Sequence, residues 1–258
     1  AAASGLDAIA IGTSSVASET NSTAIGTEAK ATKVNSSAFG DAAEASGNQA
    51  TALGAGALAT QQNATAVGEK ANASGTQSTA VGRQSLASMH DATALGTVSK
   101  ATSQRATAIG VLTQASGKCS TAVGALAVAN GLLSQAFGAN ATASGENSSA
   151  IGSYATSTHS RSTAIGTGSA TTRDDQLMLG KAATEVTVAN LSGTGTSLIV
   201  ANGDGTLSRS TINDNGLDSL NCQGNGANAV CYGPGANATG KNTTAIGAYA
   251  NAAASSNT

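Results

Sequence analysis

A bulky apolar residue followed by glycine returns every 14 residues along most of this chain, and no other feature limits its possible folds so severely. The pair stands at Ile11-Gly12, Ile25-Gly26, Phe39-Gly40, Leu53-Gly54, Val67-Gly68, Val81-Gly82 and Leu95-Gly96. It continues at Ile109-Gly110, Val123-Gly124, Phe137-Gly138, Ile151-Gly152, Ile165-Gly166 and Leu179-Gly180. Thirteen copies follow one another without an insertion or deletion. A fixed short period of this kind is the mark of a solenoid, in which each repeat packs only against its neighbours.

Other columns keep the same register. The residue before the bulky one is Ala from Ala10 to Ala164 and Met178 in the last copy, and one earlier it is mostly Thr or Ser. Five residues after the glycine another Ala recurs, from Ala17 to Ala143, giving way to Ser157 and Thr171. The unit reads Ser/Thr-Ala-Ile/Val-Gly, a short spacer, Ala-x-Ala, then a polar turn. Both apolar pieces alternate with period two and are bounded by glycine and polar residues, which specifies strands. Two short strands and two tight turns use the whole 14 residues and leave no room for a helix. Stacked coils then form parallel ladders about 4.8 Å apart, so thirteen coils extend roughly 60 Å. The recurring glycine is expected at a corner that needs positive φ or a close backbone approach.

Composition agrees with thin layers. There are 32 Gly, 2 % aromatics, no Trp and one Pro, and the apolar 40 % is mostly Ala. Low bulk hydrophobicity raises disorder as an alternative, but the strict period decides for a fold. Charged residues are 10 % and the net charge is −2, which leaves no electrostatic footprint for nucleic acid or an anionic membrane. No apolar stretch reaches about 18 residues, so no transmembrane helix is expected. The start lacks a signal-peptide pattern; with the repeat already running at Ile11, the expectation is a segment of something longer.

The alternation puts Thr and Ile of each copy on one face and Ala on the other. The expectation from this reading is a core built from Ile25, Phe39, Leu53, Val67, Val81, Leu95, Ile109, Val123, Phe137, Ile151 and Ile165. The Ala column then faces outward, where small residues suit a closely approaching neighbour. Rolls are therefore expected to associate side by side through Ala24, Ala52, Ala66, Ala80, Ala94 and Ala108.

Regularity stops after Leu179. Runs such as Glu185-Val186-Thr187-Val188 and Ser197-Leu198-Ile199-Val200 follow, with Asn202-Gly203-Asp204-Gly205 as a hairpin signal. The repeat resumes at Tyr232-Gly233 and Ile246-Gly247. The expected organisation is repeats over 1–175, a β-rich connector over 176–220 and a second repeat segment from 221 to 258. Cys222 and Cys231, nine residues apart across the restart, are the candidate disulfide pair for an oxidising compartment. Cys119 has no evident partner.

Asn21-Ser22-Thr23-Ala24-Ile25-Gly26, Gln77-Ser78-Thr79-Ala80-Val81-Gly82 and Asn147-Ser148-Ser149-Ala150-Ile151-Gly152 resemble the Asn-Ser-Val-Ala-Ile-Gly head repeat of trimeric autotransporter adhesins of the Yersinia adhesin A type. Its second half is matched by Ala71-Asn72-Ala73-Ser74-Gly75 and Ala141-Thr142-Ala143-Ser144-Gly145. Thr here usually replaces the Val of the family motif. The resemblance implies an all-β, left-handed parallel β-roll (a β-solenoid), with three chains side by side as a homotrimer. It also implies display on the cell surface of a Gram-negative bacterium, anchored in the outer membrane by the full-length protein. The implied partners are extracellular matrix proteins such as collagen, fibronectin and laminin, or other cells and surfaces.

No enzyme, metal or cofactor pattern is visible. His90 and His159 fall in turns of different coils without convergent partners. Asp174-Asp175 reads as a charged cap or a cation site. Lys30, Lys33, Lys70, Arg83, Lys100, Arg105, Lys118 and Arg161 are expected in turns or loops. The function expected is therefore multivalent adhesion along a rigid rod, with no nucleic acid and no membrane contact by this stretch. Two alternatives stand beside it: a trimeric phage or secreted fibre segment, and an ice-binding β-solenoid. Ice binding requires the Thr column outside, so the exposure of Thr51, Thr65, Thr79 and Thr93 discriminates.

Overall fold

The computed structural model describes residues 1–182, 197–201, 207–213, 222–223, 230–232, 235–247 and 249–253. It divides into two units, Ala1–Val186 and Thr187–Thr258.

In the first unit each 14-residue coil but the last contributes one two-residue strand and one three-residue strand, and the last has a single bridge, Thr156↔Ala170, in place of the narrow strand. The two-residue strands, from Ala2–Ala3 to Thr156–Ser157, form a twelve-stranded sheet, called here the narrow sheet. The three-residue strands, from Ile9–Ile11 to Leu177–Leu179, form a thirteen-stranded wide sheet. All ladders are parallel and each residue pairs with its counterpart 14 positions on, as in Thr65↔Thr79, Ala66↔Ala80 and Val67↔Val81. The fold is an all-strand parallel β-solenoid. Its last wide strand is Leu177–Leu179, so the roll runs past the expected boundary at 175 even though Met178 and Leu177 have replaced Ala and Thr.

The two faces are the reverse of the expectation. Ala24, Ala52, Ala66, Ala80, Ala94 and Ala108 are completely buried within the single chain, so they cannot form an interface between chains. The residues expected as core point outward: Ile25, Phe39, Val67, Val81, Leu95, Val123 and Phe137 are half-buried, and Leu53, Ile109, Ile151 and Ile165 are exposed. The reason is the width of the roll. Each coil sends four side chains inward, for example Ala59, Ala64, Ala66 and Ala71, and up to Thr171 all are Ala, Ser or Thr. The largest fully buried side chain in the described structure is Thr113. At interior packing density, strands this close leave no volume for Val or Ile.

Several buried hydroxyls among the alanines are satisfied locally, whereas those of Ser120, Ser134 and Ser148 have no partner among the described residues. Ser22, Ser78 and Ser162 each donate to the carbonyl three residues earlier, at 2.6 Å, on Glu19, Gly75 and His159. Serine is thus an alanine-sized residue whose hydroxyl adds a second hydrogen bond to a turn carbonyl, as at Glu19 and Gly75, which also accept from the Ser22 and Ser78 amides at 3.1 and 3.2 Å.

Each coil turns two corners. The first, between a narrow strand and the next wide strand, has its third residue at positive φ, as at Asn35, Gln49, Asn63 and Gln77 (φ 56 to 57°). The second, after the wide strand, begins with the recurring glycine at φ 114 to 136° from Gly12 to Gly166. These glycines stack directly, and a Cβ on Gly68 would lie 2.8 Å from the Gly82 carbonyl. Both expected causes, positive φ and close approach, therefore hold at once.

Near the end of the roll Asp175 accepts two hydrogen bonds from Arg161, from Nε at 2.6 Å and from Nη2 at 2.8 Å. Asp174 accepts from the Ser160 amide at 3.0 Å. The pair Asp174-Asp175 thus ties the last first-corner turn to the coil before it. The Arg161 hydrogen bond, followed by its charge, holds the Asp175 carboxyl below the ordinary carboxylate range. A depressed folded-state pKa contributes stability that is present above the unfolded value, near 3.8, and lost as pH falls through the folded value. Fraying of the last coil is therefore expected to begin on acidification below about pH 4, and Asp175→Asn is expected to remove that step. Amide exchange of Leu177–Leu179 between pH 6 and pH 3 checks it; identical profiles for both proteins would refute it. Both side chains are well exposed (59 % and 64 %), so the effect is small and weakens with salt.

In the second unit Ser197–Ala201 pairs antiparallel with Leu207–Asn213, the hairpin expected around 202–205. The repeat resumes: Val230–Tyr232 pairs parallel with Thr244–Ile246, and Cys222–Gln223, Ala236–Ala238 and Asn251–Ala252 form a second ladder. Ala236, Ala238 and Ala245 are buried, as in the first roll. The run 185–188 and the side chains of Cys222 and Cys231 lie outside the described residues.

Candidate binding surfaces

Because the interior takes only small residues, every large side chain of the roll is delivered to its outside. The wide sheet presents two straight columns side by side. One is Thr or Ser, with Thr51, Thr65, Thr79, Thr93, Thr107 and Thr121 in unbroken register. The other is the aliphatic and aromatic column from Ile11 to Leu179. Both follow from the outward phase of a period-two strand whose middle residue is the buried Ala. The Thr column lies on the outer face and is half-buried there, so it is on the side that the ice-binding alternative requires.

The aliphatic column is continued on the second corner by residues that the sequence reading passed over. Val111 and Leu112 are each 51 % exposed, Leu126 is 47 % and Tyr154 is 64 %. Val111, Leu112 and Leu126 occupy adjacent coils beside the exposed Ile109, and Tyr154 stands two coils farther on, beyond Asn140, in the coil of the exposed Ile151. An exposed apolar patch such as that of Ile109, Val111, Leu112 and Leu126 marks a contact surface. Its signal was available: these turn slots hold Glu28, Lys70 and Gln84 in earlier coils, and the change to Val, Leu and Tyr is visible in the sequence.

The first corner carries a different chemistry. Asn35, Asn48, Gln49, Gln62, Asn63 and Gln77 project from successive turns, all exposed. A cleft of about 290 Å³ opens among Val34, Asn35, Asn48, Gln49 and Gln62. The turns are held at fixed spacing by backbone bonds from Gln49 to Val34, Asn63 to Asn48 and Gln77 to Gln62, each 2.9 Å. Asn21 donates to Asn35 Oδ1 at 3.1 Å. Farther along, His90 Nδ1 lies 2.7 Å from Asp91 Oδ2.

Most of the scattered cations fall in turns as expected. Lys30 and Lys100 instead lie on narrow strands, Lys30–Ala31 and Lys100–Ala101, where they point outward. His90 is exposed in its turn, and His159 is half-buried near Thr171 Oγ1 at 3.4 Å. Cys119 is a free thiol at a first-corner tip. Among the described residues no three His, Cys, Asp or Glu side chains converge as a metal site would require.

Comparison with known proteins gives the lineage. The YadA head domain repeat matches residues 3–29, 31–57, 59–85, 87–113, 129–155, 143–169 and 225–250, which is more than half of the chain. The chain belongs to the YadA head repeat family. It is an adhesin-type head domain. Among solved structures the chain is similar to the collagen-binding domain of the Yersinia adhesin YadA, at 18 % identity and a TM-score of 0.30. That alignment covers 78 % of this chain and 95 % of the other. No curated protein sequence matches. Relative to the YadA head motif, Thr in place of Val now has a location: it changes the outward face of the wide sheet and leaves the interior untouched.

Proposed function

We propose that this YadA-type head forms a side-by-side homotrimer on the surface of a Gram-negative bacterium and works by adhesion, not catalysis. Its targets in this reading are extracellular matrix proteins (collagen, fibronectin or laminin) or other cells and surfaces, held by many weak contacts along the rod. The observation that carries the reading is the outward aliphatic column with its continuation at Val111, Leu112, Leu126 and Tyr154. An isolated roll leaves these side chains in water, whereas three rolls packed on their wide sheets would bury them. Family membership supports the same arrangement.

Native mass by sedimentation across a dilution series tests it. A species near three times 24.5 kDa is expected. Phe137→Asp with Ile109→Asp is expected to yield a folded monomer, because both side chains lie outside the single-chain core. A wild-type chain that stays monomeric at every concentration would refute the trimer. Binding of the wild type to immobilised collagen, fibronectin and laminin then tests adhesion. The outward Thr ladder favours one second reading, ice binding. A trimer packed on the wide sheet covers that ladder and a monomer exposes it, so thermal hysteresis in a monomeric wild type would select the second reading.

A further inference from the structure

The run of uncharged amides on the first corner is not explained by the backbone. Asn35, Gln49, Asn63 and Gln77 sit at φ 56 to 57°, but the second corner of the same coils has the same conformation at Ala42, Gly56, Lys70 and Gln84, with φ between 49 and 63°. Asn tolerates that region and Gln gains nothing there. Asn48 and Gln62, which form the second amide column, are not at positive φ at all. Apart from Asn35, which accepts from Asn21 at 3.1 Å, the amides do not satisfy one another. Among the described residues the side chains of Asn48, Gln49, Gln62, Asn63 and Gln77 make no hydrogen bond to the protein. The turns that carry them, 47–49, 61–63 and 75–77, hold no charged residue, whereas Lys33 lies on one side and Asp91 and Arg105 on the other.

We propose that this amide ridge, with its 290 Å³ cleft at Val34, Asn35, Asn48, Gln49 and Gln62, is a binding site for a neutral polysaccharide chain running along the roll. Each carboxamide offers both donors and an acceptor, which matches sugar hydroxyls that are themselves both. Absence of charge on turns 47–49, 61–63 and 75–77 disfavours sulfated, phosphorylated or nucleic-acid ligands. Absence of Trp, Tyr and Arg there removes the anchors on which protein partners usually depend. The turns advance by about 4.8 Å per coil, close to the advance of one pyranose ring in an extended chain, so successive rings can meet equivalent amides. Backbone bonds between the turns fix that spacing before the ligand arrives, which lowers the ordering cost. Single-ring contacts are weak, and affinity accumulates with chain length. The site names a ligand class for the adhesive reading and rests on it for its biological use.

The test is calorimetric titration of the whole chain with cello-, chito- and manno-oligosaccharides of increasing length, and with heparin, at low and high salt. The expected result is binding of at least one neutral series that strengthens with length and is insensitive to salt. Asn48→Ala with Gln62→Ala is expected to weaken it at least about tenfold, since exposed amides lose only their ligand bonds. Gln84→Ala, on the opposite corner, is expected to leave it unchanged. Failure of every neutral series, or salt-sensitive binding of heparin alone, would overturn the proposal. So would loss of collagen binding in the double variant with sugar binding intact, because the ridge would then be a protein-binding surface. Matrix adhesion by a wild type that ignores sugars defeats this inference alone; sugar binding without any adhesion defeats the adhesive reading and leaves the site.

Discussion

Gly96→Ala is expected to break the roll at its seventh glycine corner. The new Cβ would lie 2.3 Å from the Gly110 carbonyl oxygen, and φ at this position is +130°. Neither problem can be relieved alone, because Gly110 stacks in turn on Gly124, whose carbonyl is 2.7 Å from where a Cβ on Gly110 would be. Backbone strain in a glycine-only region costs about 1–3 kcal/mol, and displacing a stacked ladder adds to it. A loss of at least about 3 kcal/mol is expected, in the range reserved for named structural faults. Coils interact only with neighbours, so the loss is local. Limited proteolysis is expected to cut near residue 96 while the outer coils persist. Gly75→Ala supplies the control. Its Cβ would meet the Met89 carbonyl oxygen at 2.0 Å, yet the same column accepts Gln61 and Met89 in adjacent coils. Gly75 differs by one long bond, from its amide to the Ala87 carbonyl at 3.3 Å. Giving up that bond for the path its neighbours follow costs about 1 kcal/mol. Equal damage from the two substitutions would mean that contact distance, and not φ, governs the corner.

The second large effect is expected from neighbouring residues with opposite roles. Ala80→Leu places three more carbons in an interior where Ala80 is wholly buried and in register with Ala66 and Ala94. Overpacking costs about 1–3 kcal/mol in ordinary cores and occasionally more. Here the upper end is expected, because the roll is only one side chain deep from each sheet and has no softer layer to yield. Val81→Ala, one residue on, removes bulk from a half-buried outward side chain and is expected to cost the single chain less than about 1 kcal/mol. Its effect is expected in the dilution series instead, as weaker association, since every chain of a trimer carries the change. Circular dichroism melts of both variants, read beside their native masses, separate the two roles. Tolerance of Leu at 80 with unfolding by Ala at 81 would restore the opposite assignment of faces.

Those faces are where the sequence reading went astray, and the columns themselves held the correction. The alternation through Thr79-Ala80-Val81 gives two faces but does not say which is inside. In wide globular folds bulk is the sign of the core; in a roll this thin it is not. The better sign is constancy of volume. Ala holds its column from Ala10 to Ala164, while the next column moves freely among Ile, Phe, Leu and Val. A close-packed interior forbids such variation and an outer face permits it. The Ser residues at Ser22, Ser36 and Ser78 were part of the same interior, hidden in the sequence because serine in a turn ordinarily reads as solvent-exposed.

Period, strand count, parallel register and the need for glycine at one corner were all determined by the sequence. Each follows from local chemistry repeated at fixed spacing: alternation sets the strands, glycine sets the turn, and 14 residues leave room for nothing larger. The sequence also contained the amide and apolar runs, but only as letters in turns. Tertiary structure decided which face is inside, because that depends on the gap between two sheets, a distance no single coil specifies. It also decided what the turn residues form together. Asn48, Gln49 and Gln62 become one cleft, and Leu112 and Leu126 one patch, only when stacking brings residues 14 positions apart to the spacing of adjacent strands.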